Sequence, residues 1–186
     1  ATTVLFPMTA GITTAAYYRL KTSCSGGTPV YSNAKHVTMK SFINCYCTPT
    51  YTYGCSGGGT IDGFATTNAM IDVSNLNTGC ASGNLGYSDY SSMAVTAAHS
   101  FPFNFAENIS AYGSGVRIWA DWNHDGIFDP VTELCAASAN IIPNGSAFTG
   151  IITPPATAMT GPTRLRVRAV ESYTVFGPCD NYYYGE

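Results

Sequence analysis

Apolar residues in this chain recur mostly at every second position. They come in short runs cut by Gly, Pro, Asn and Ser, and almost nowhere at the 3.6-residue spacing of a helix. The clearest run is RLRVRAV at Arg164–Val170. On an extended chain Leu165, Val167 and Ala169 fall on one face and Arg164, Arg166 and Arg168 on the other. Thr2–Leu5, Tyr17–Lys21, Val37–Ile43, Ile61–Thr66, Met70–Val73, Met93–Ala97, Val116–Ala120 and Phe148–Thr153 read as further strands. Phe101, Phe103 and Phe105 set three rings on one strand face. About ten short strands with turn signals between them predict an all-β fold. The form expected is a two-sheet antiparallel β-sandwich of jelly-roll type with long disulfide-tied loops. The stretch Cys45–Thr60, which contains GCSGGG, reads as a link too flexible for a regular element unless disulfides hold it.

The segment DWNHDGIFD at Asp121–Asp129 has the pattern of a calcium loop. Asp121, Asn123 and Asp125 alternate, and Gly126 follows where such loops turn sharply. Calcium takes six to eight oxygen ligands, so the expected set is the side chains of Asp121, Asn123 and Asp125, the Ile127 carbonyl, and a carboxylate from Asp129 or Glu133. The spacing departs from the helical calcium hand, because position 12 is Thr132 and Glu133 comes one place late. The flanks read as strand, and Pro130 blocks an immediate helix. The competing reading is an Asx-turn loop whose carboxylates cap their own backbone.

Charged residues are 10% of the chain, against roughly 25% in typical soluble domains. Small polar side chains and 13% aromatics take their place, a balance that suits an extracellular β protein. The net charge is −3 and there is no basic cluster, which argues against nucleic acid as a partner. No polybasic patch and no 18-residue apolar run is present, so membrane insertion is not expected. The sequence opens at Ala1, which reads as a chain whose leader has been removed. Cys24, Cys45, Cys47, Cys55, Cys80, Cys135 and Cys179 lack metal-ligand spacing and read as disulfide candidates in an oxidising compartment. Seven is odd, so one thiol is unpaired or bonds another chain.

Further residues carry two readings each. Arg164, Arg166 and Arg168 form a candidate clamp for acidic glycans or carboxylates, or a solvated outer face. Trp122, with Trp119, is a candidate sugar-stacking ring beside the calcium loop, or core. Tyr173 and Tyr182–Tyr184 make the C-terminal part rich in tyrosine, a good interface residue. His36, His99 and His124 are isolated, and neither H-E-x-x-H nor G-x-S-x-G occurs, so no enzyme is expected. Asn108 and Asn144 open N-x-S patterns that read as ordinary loop asparagines.

Several segments together resemble the GEVED domain of secreted bacterial proteins. They are YCTP at Tyr46–Pro49, the Gly79–Tyr90 stretch ending in GYSDY, VRIWADWNHDGIFDP, ELC at Glu133–Cys135, FTGIITPP, GPTRLRVRAV, and the ending GPC…YYYGE. The resemblance covers roughly residues 46–186. It implies a β-sandwich module of secreted or surface proteins from Bacteroidota-like bacteria, with the acidic motif of Asp121, Asn123, Asp125, Asp129 and Glu133 and no catalytic residues. The name-giving segment of that family continues past Glu186 into V-E-D-Y and a last strand. Residues 1–45 have no counterpart there and read as an N-terminal strand segment, a candidate assembly arm.

The function these readings imply is a non-catalytic, calcium- and disulfide-stabilised extracellular module for cell-surface adhesion, binding glycan or protein. Two alternatives stand beside it. One is a fibre subunit that binds copies of itself by strand addition through the N-terminal segment, which carries no charge before Arg19. The other is an accessory domain of a secreted hydrolase.

Overall fold

The structure is a computed structural model, which describes residues 14–23, 26–38, 45–80 and 86–186. The described residues are all-β, without a helix. Two compact units divide the chain, Ala1–Ser41 and Phe42–Glu186. In the first, β1 (Ala16–Tyr18) pairs antiparallel with β4 (Lys35–Val37), and β2 (Lys21–Thr22) with β3 (Val30–Tyr31). Tyr17 stacks on His36 at 4.4 Å, and the Arg19 guanidinium lies 4.0 Å from the Tyr31 ring centre. The strand read at Thr2–Leu5 lies outside the described residues.

The second unit holds a four-stranded antiparallel sheet, ordered β11-β8-β6-β7. Its strands are β6 (Thr60–Thr67), β7 (Ser74–Leu76), β8 (Phe103–Ser110) and β11 (Ala147–Ile152). A three-stranded antiparallel sheet is ordered β10-β9-β12, from β9 (Ser114–Ala120), β10 (Leu134–Ala137) and β12 (Leu165–Glu171). Phe103, Phe105 and Ile109 of β8 and Ile152 of β11 meet Val116, Ile118 and Ala169 of the smaller sheet in one buried cluster. The period of two in β8 produces this directly: Phe103, Phe105, Glu107 and Ile109 are buried and the residues between them are half-buried. Phe101 does not join them. Ser100 turns at φ 63° and Pro102 brings no amide to a ladder, so β8 starts at Phe103 and Phe101 stays 69% exposed.

The three-stranded sheet is covered on both faces. Its second face packs Trp119 and Val170 against Tyr51, Phe128 and Phe176. β9 is accordingly buried at six of its seven positions, the pattern of a strand enclosed from both sides. Part of that cover is β5 (Tyr51–Gly54), which pairs with β13 (Tyr182–Tyr184). This pair is parallel, a departure from the all-antiparallel expectation. β5 forms within Cys45–Thr60, the stretch read as too flexible for a regular element unless disulfides hold it. Two disulfides tie the region down: Cys47 bonds Cys179, and Cys55 bonds Cys80.

Candidate functional site

The acidic loop is the connection from β9 to β10. Asp121 directly follows Ala120, the last residue of β9, and Glu133 directly precedes Leu134. Ladder pairing therefore fixes the two ends of the loop relative to each other. Asp121 is fully buried, and its carboxylate organises the turn. Oδ2 accepts the Gly126 amide at 2.9 Å and the Tyr46 hydroxyl at 2.7 Å, while Oδ1 accepts the Asp125 amide at 3.2 Å. Burial, reinforced by the Asp121 carboxylate, pushes the Tyr46 phenol well above its ordinary range, so Tyr46 stays a proton donor to Asp121. The chain turns through left-handed conformations at His124 (φ 58°) and Gly126 (φ 81°).

The remaining polar residues staple the loop. Asn123 Oδ1 accepts the Asp125 amide at 2.9 Å, and Asp125 Oδ1 accepts the Ile127 amide at 2.8 Å. Asp129 Oδ1 accepts the amides of Val131 and Thr132. These amides hold the Asp129 carboxyl below its usual range. Glu133 Oε1 accepts the amides of Trp122 (3.0 Å) and Asn123 (3.4 Å), and Oε2 accepts that of Asp129 at 2.9 Å. Burial raises the Glu133 carboxyl above its usual range. The Asp121 and Asp125 charges push the same way, against the amides of Asp129 and Asn123 that lower it. Phe128 anchors the far side by stacking on Tyr46 at 4.8 Å.

The residues of the Asx-turn reading and of the calcium reading are thus the same residues. Among the described residues no three His, Cys, Asp or Glu side chains form a group able to hold a metal. The donor chemistry nevertheless suits a hard cation, being oxygen throughout: two carboxylates, the Asn123 amide oxygen and the backbone carbonyl of the exposed Ile127. A carboxylate has about four lone-pair sites, so accepting one or two amides leaves capacity for an ion. Asp121 and Glu133 already accept three hydrogen bonds each, and Asp125 and Asp129 two each, so all four carboxylates keep part of that capacity.

The arginine stripe is a correction. Arg166 is 7% and Arg168 1% exposed, so they do not form an open clamp. Arg166 donates to the Pro178 and Cys47 carbonyls and lies 4.6 Å from the Phe128 ring centre. Burial lowers its pKa to about 10. Arg168 donates to the Tyr51 hydroxyl and to the Gly177 and Asp180 carbonyls. Both face the second core, because the sheet that carries them is covered on that side. Only Arg164 keeps a surface role, with Asp89 at 3.2 Å. Trp119 is fully buried, and Trp122 is half-buried against the first core, so neither ring stands free beside the loop.

The loop and its flanking strands lie in a stretch with a known family pattern. Residues 115–186 match the GEVED domain family. The matched stretch runs from β9 to Glu186 and so contains the acidic loop, both buried arginines and the Tyr182–Tyr184 strand. It starts later than the resemblance drawn from the sequence, and YCTP and GYSDY fall before it. The GEVED stretch supplies β9–β13, while β5, β6 and β8 complete the cores from outside it. No curated protein and no solved structure matches the chain.

Sequence reasoning missed two features of this region. Tyr51, 2% exposed, donates its hydroxyl proton to the Glu186 carbonyl at 3.0 Å and accepts from Arg168, linking β5 to β12. Its place between Cys47 and Cys55 was the available signal. Glu107 is fully buried on β8 with neither carboxyl oxygen hydrogen-bonded, and nothing in FNFAENIS singles it out except its register with the phenylalanines.

Proposed function

We propose that this chain is a non-catalytic extracellular module of jelly-roll sandwich type, stabilised by calcium and disulfides, that serves adhesion at the cell surface by binding glycan or protein. The observation that carries the reading is how stability and surface are divided. Interior polar groups are locked by disulfides, buried arginines and carboxylate staples. Large side chains meanwhile stand out in solvent, Tyr53 (54%) and Tyr183 (65%) on short pinned strands and Met70 (71%) and Phe101 (69%) on the loops beside β6 and β8. Disulfides support an oxidising compartment. No helix among the described residues is long and apolar enough to cross a membrane.

Calcium is proposed at Asp121, Asn123, Asp125, the Ile127 carbonyl and a carboxylate from Asp129 or Glu133, where it would offset the mutual repulsion of Asp121, Asp125 and Glu133 and hold the β9–β10 connection. The test of the whole reading is attachment. Beads coated with the full chain should adhere to the producing cells or their extracellular matrix, and EDTA should weaken this. Filaments under the electron microscope that disappear when residues 1–16 are deleted would replace the adhesion reading with the fibre subunit. Hydrolysis of a matrix polymer by the isolated chain would overturn the non-catalytic reading.

A further inference from the structure

Both disulfides hold the ends of β5, and one of them, Cys47–Cys179, ties it to the approach to β13, while the other runs from Cys55 to Cys80 beyond β7. Cys47 and Cys55 bracket β5, and Cys179 stands three residues before β13. These strands are short and pair in parallel, an arrangement with little stability of its own. They carry three tyrosines, Tyr53, Tyr183 and Tyr184, whose rings stack nearly parallel. Tyr53 lies 5.0 Å from Tyr184 at 28° and 6.2 Å from Tyr183 at 22°. Tyr53 and Tyr183 are 54% and 65% exposed.

Glycines hold the third ring in place. A Cβ at Gly58 would come within 2.3 Å of the Tyr184 Cβ, and one at Gly57 within 3.2 Å of its ring. Tyr184 therefore rests directly on the glycine-rich loop, and Tyr53 stacks on Tyr184. No residue of 48–60 or 181–185 carries a charge. The charged group beside them is an acid, since a Cβ at Gly58 would also come within 2.4 Å of Glu171 Oε2. The surface is thus aromatic, hydroxyl-bearing, without a cation of its own and held rigid.

We infer that Tyr53 and Tyr183, supported by Tyr184 beneath Tyr53, form a binding platform for neutral polysaccharide. An aromatic face carries partial negative charge, and the C–H face of a pyranose ring is its weakly positive complement. Phenol hydroxyls at the ring edges suit the sugar hydroxyls. A rigid platform loses little side-chain entropy on binding, which is what covalent pinning of two otherwise marginal strands achieves. A polyanion would meet no cation of these segments and would face the Glu171 carboxylate beside Tyr184, so the platform favours an uncharged chain over an anionic one. This inference rests on the adhesion reading and names its ligand class.

The experiment is affinity electrophoresis of the full chain through gels containing a neutral soluble β-glucan, a neutral mannan, or alginate as the anionic probe. Retardation is expected in at least one neutral gel and not in alginate. Y53A and Y183A should each raise the polysaccharide concentration needed for half-retardation at least tenfold without moving the melting temperature, and Y183W should preserve binding. Both substituted side chains are more than half exposed, so folding tolerates the change. Alginate retardation alone, or unaltered binding by Y53A and Y183A, overturns the platform. Absence of retardation in every gel also overturns it. If the coated beads still attach to cells in that case, the adhesion reading survives with a protein ligand; if they do not, both fall.

Discussion

Glu107 should make this protein less stable as pH rises, and replacing it should remove the effect. Its carboxyl is fully buried, neither oxygen has a hydrogen-bond partner, and in the ladder it sits opposite Phe64 and Phe148. Burial, with the Glu186 charge as a second cause, raises its pKa well above 4.5. The folded state therefore keeps a proton that the unfolded chain releases. Stability is intact below pH 4.5 and declines above it by up to about 1.4 kcal/mol per pH unit, until the pH passes the folded-state pKa. Glu186 adds to the slope in the same direction, because burial raises its carboxyl to about 7. E107Q removes the ionisation but keeps a buried polar group, so it should flatten the pH dependence without improving stability at pH 4.5. E107M removes both. It should add about 1–3 kcal/mol, the cost of an unsatisfied buried polar group. For a chain of this size that is a rise in Tm of roughly 2–12 °C. Calorimetry at pH 4.5, 6 and 7.5 measures each variant against the parent. A parent more stable than E107M at pH 7.5, or an unchanged pH slope in E107Q, would refute the reasoning and mean that Glu107 is charged and compensated in the fold.

Three further outcomes are expected. Saturating calcium at about 100 times its Kd should stabilise the fold by about 2.7 kcal/mol, seen as a higher Tm that EDTA reverses; D121N and D125A should abolish the shift, and a Tm indifferent to both ions removes calcium from the picture. Alkylation without reductant should label at most one cysteine per chain, and Cys135 only on unfolding, since burial pushes its thiol up to about 12 and its Sγ donates to the Glu133 carbonyl, while a C47A/C179A pair should lose about 3–5 kcal/mol in denaturant because that bond closes a separation of 132 residues. R168M should cost about 3 kcal/mol by removing the donors to the Tyr51 hydroxyl and to the Gly177 and Asp180 carbonyls, whereas R164A, on an exposed ion pair, should cost about 0–1 kcal/mol by the same measurement.

What the sequence by itself determined is local. Period-two alternation marked β6, β8, β9, β11 and β12 because side chains on a strand must alternate between faces, and cysteine spacing pointed to disulfides. The D-x-N-x-D-G pattern marked a tight oxygen-rich loop because those side chains reach backbone amides a few residues on, whether or not an ion joins them. What only the tertiary structure decided is which of the two faces meets water. Alternation in RLRVRAV assigns the arginines to one face but is silent on what covers it. That depends on Tyr51, Phe128 and Phe176 arriving from distant segments, and their arrival turned a candidate clamp into a buried set of hydrogen bonds. The same holds for Glu107, indistinguishable in sequence from an exposed acid, and for Tyr53, whose stacking on Tyr183 and Tyr184 joins residues about 130 apart through a parallel pairing that no local pattern encodes.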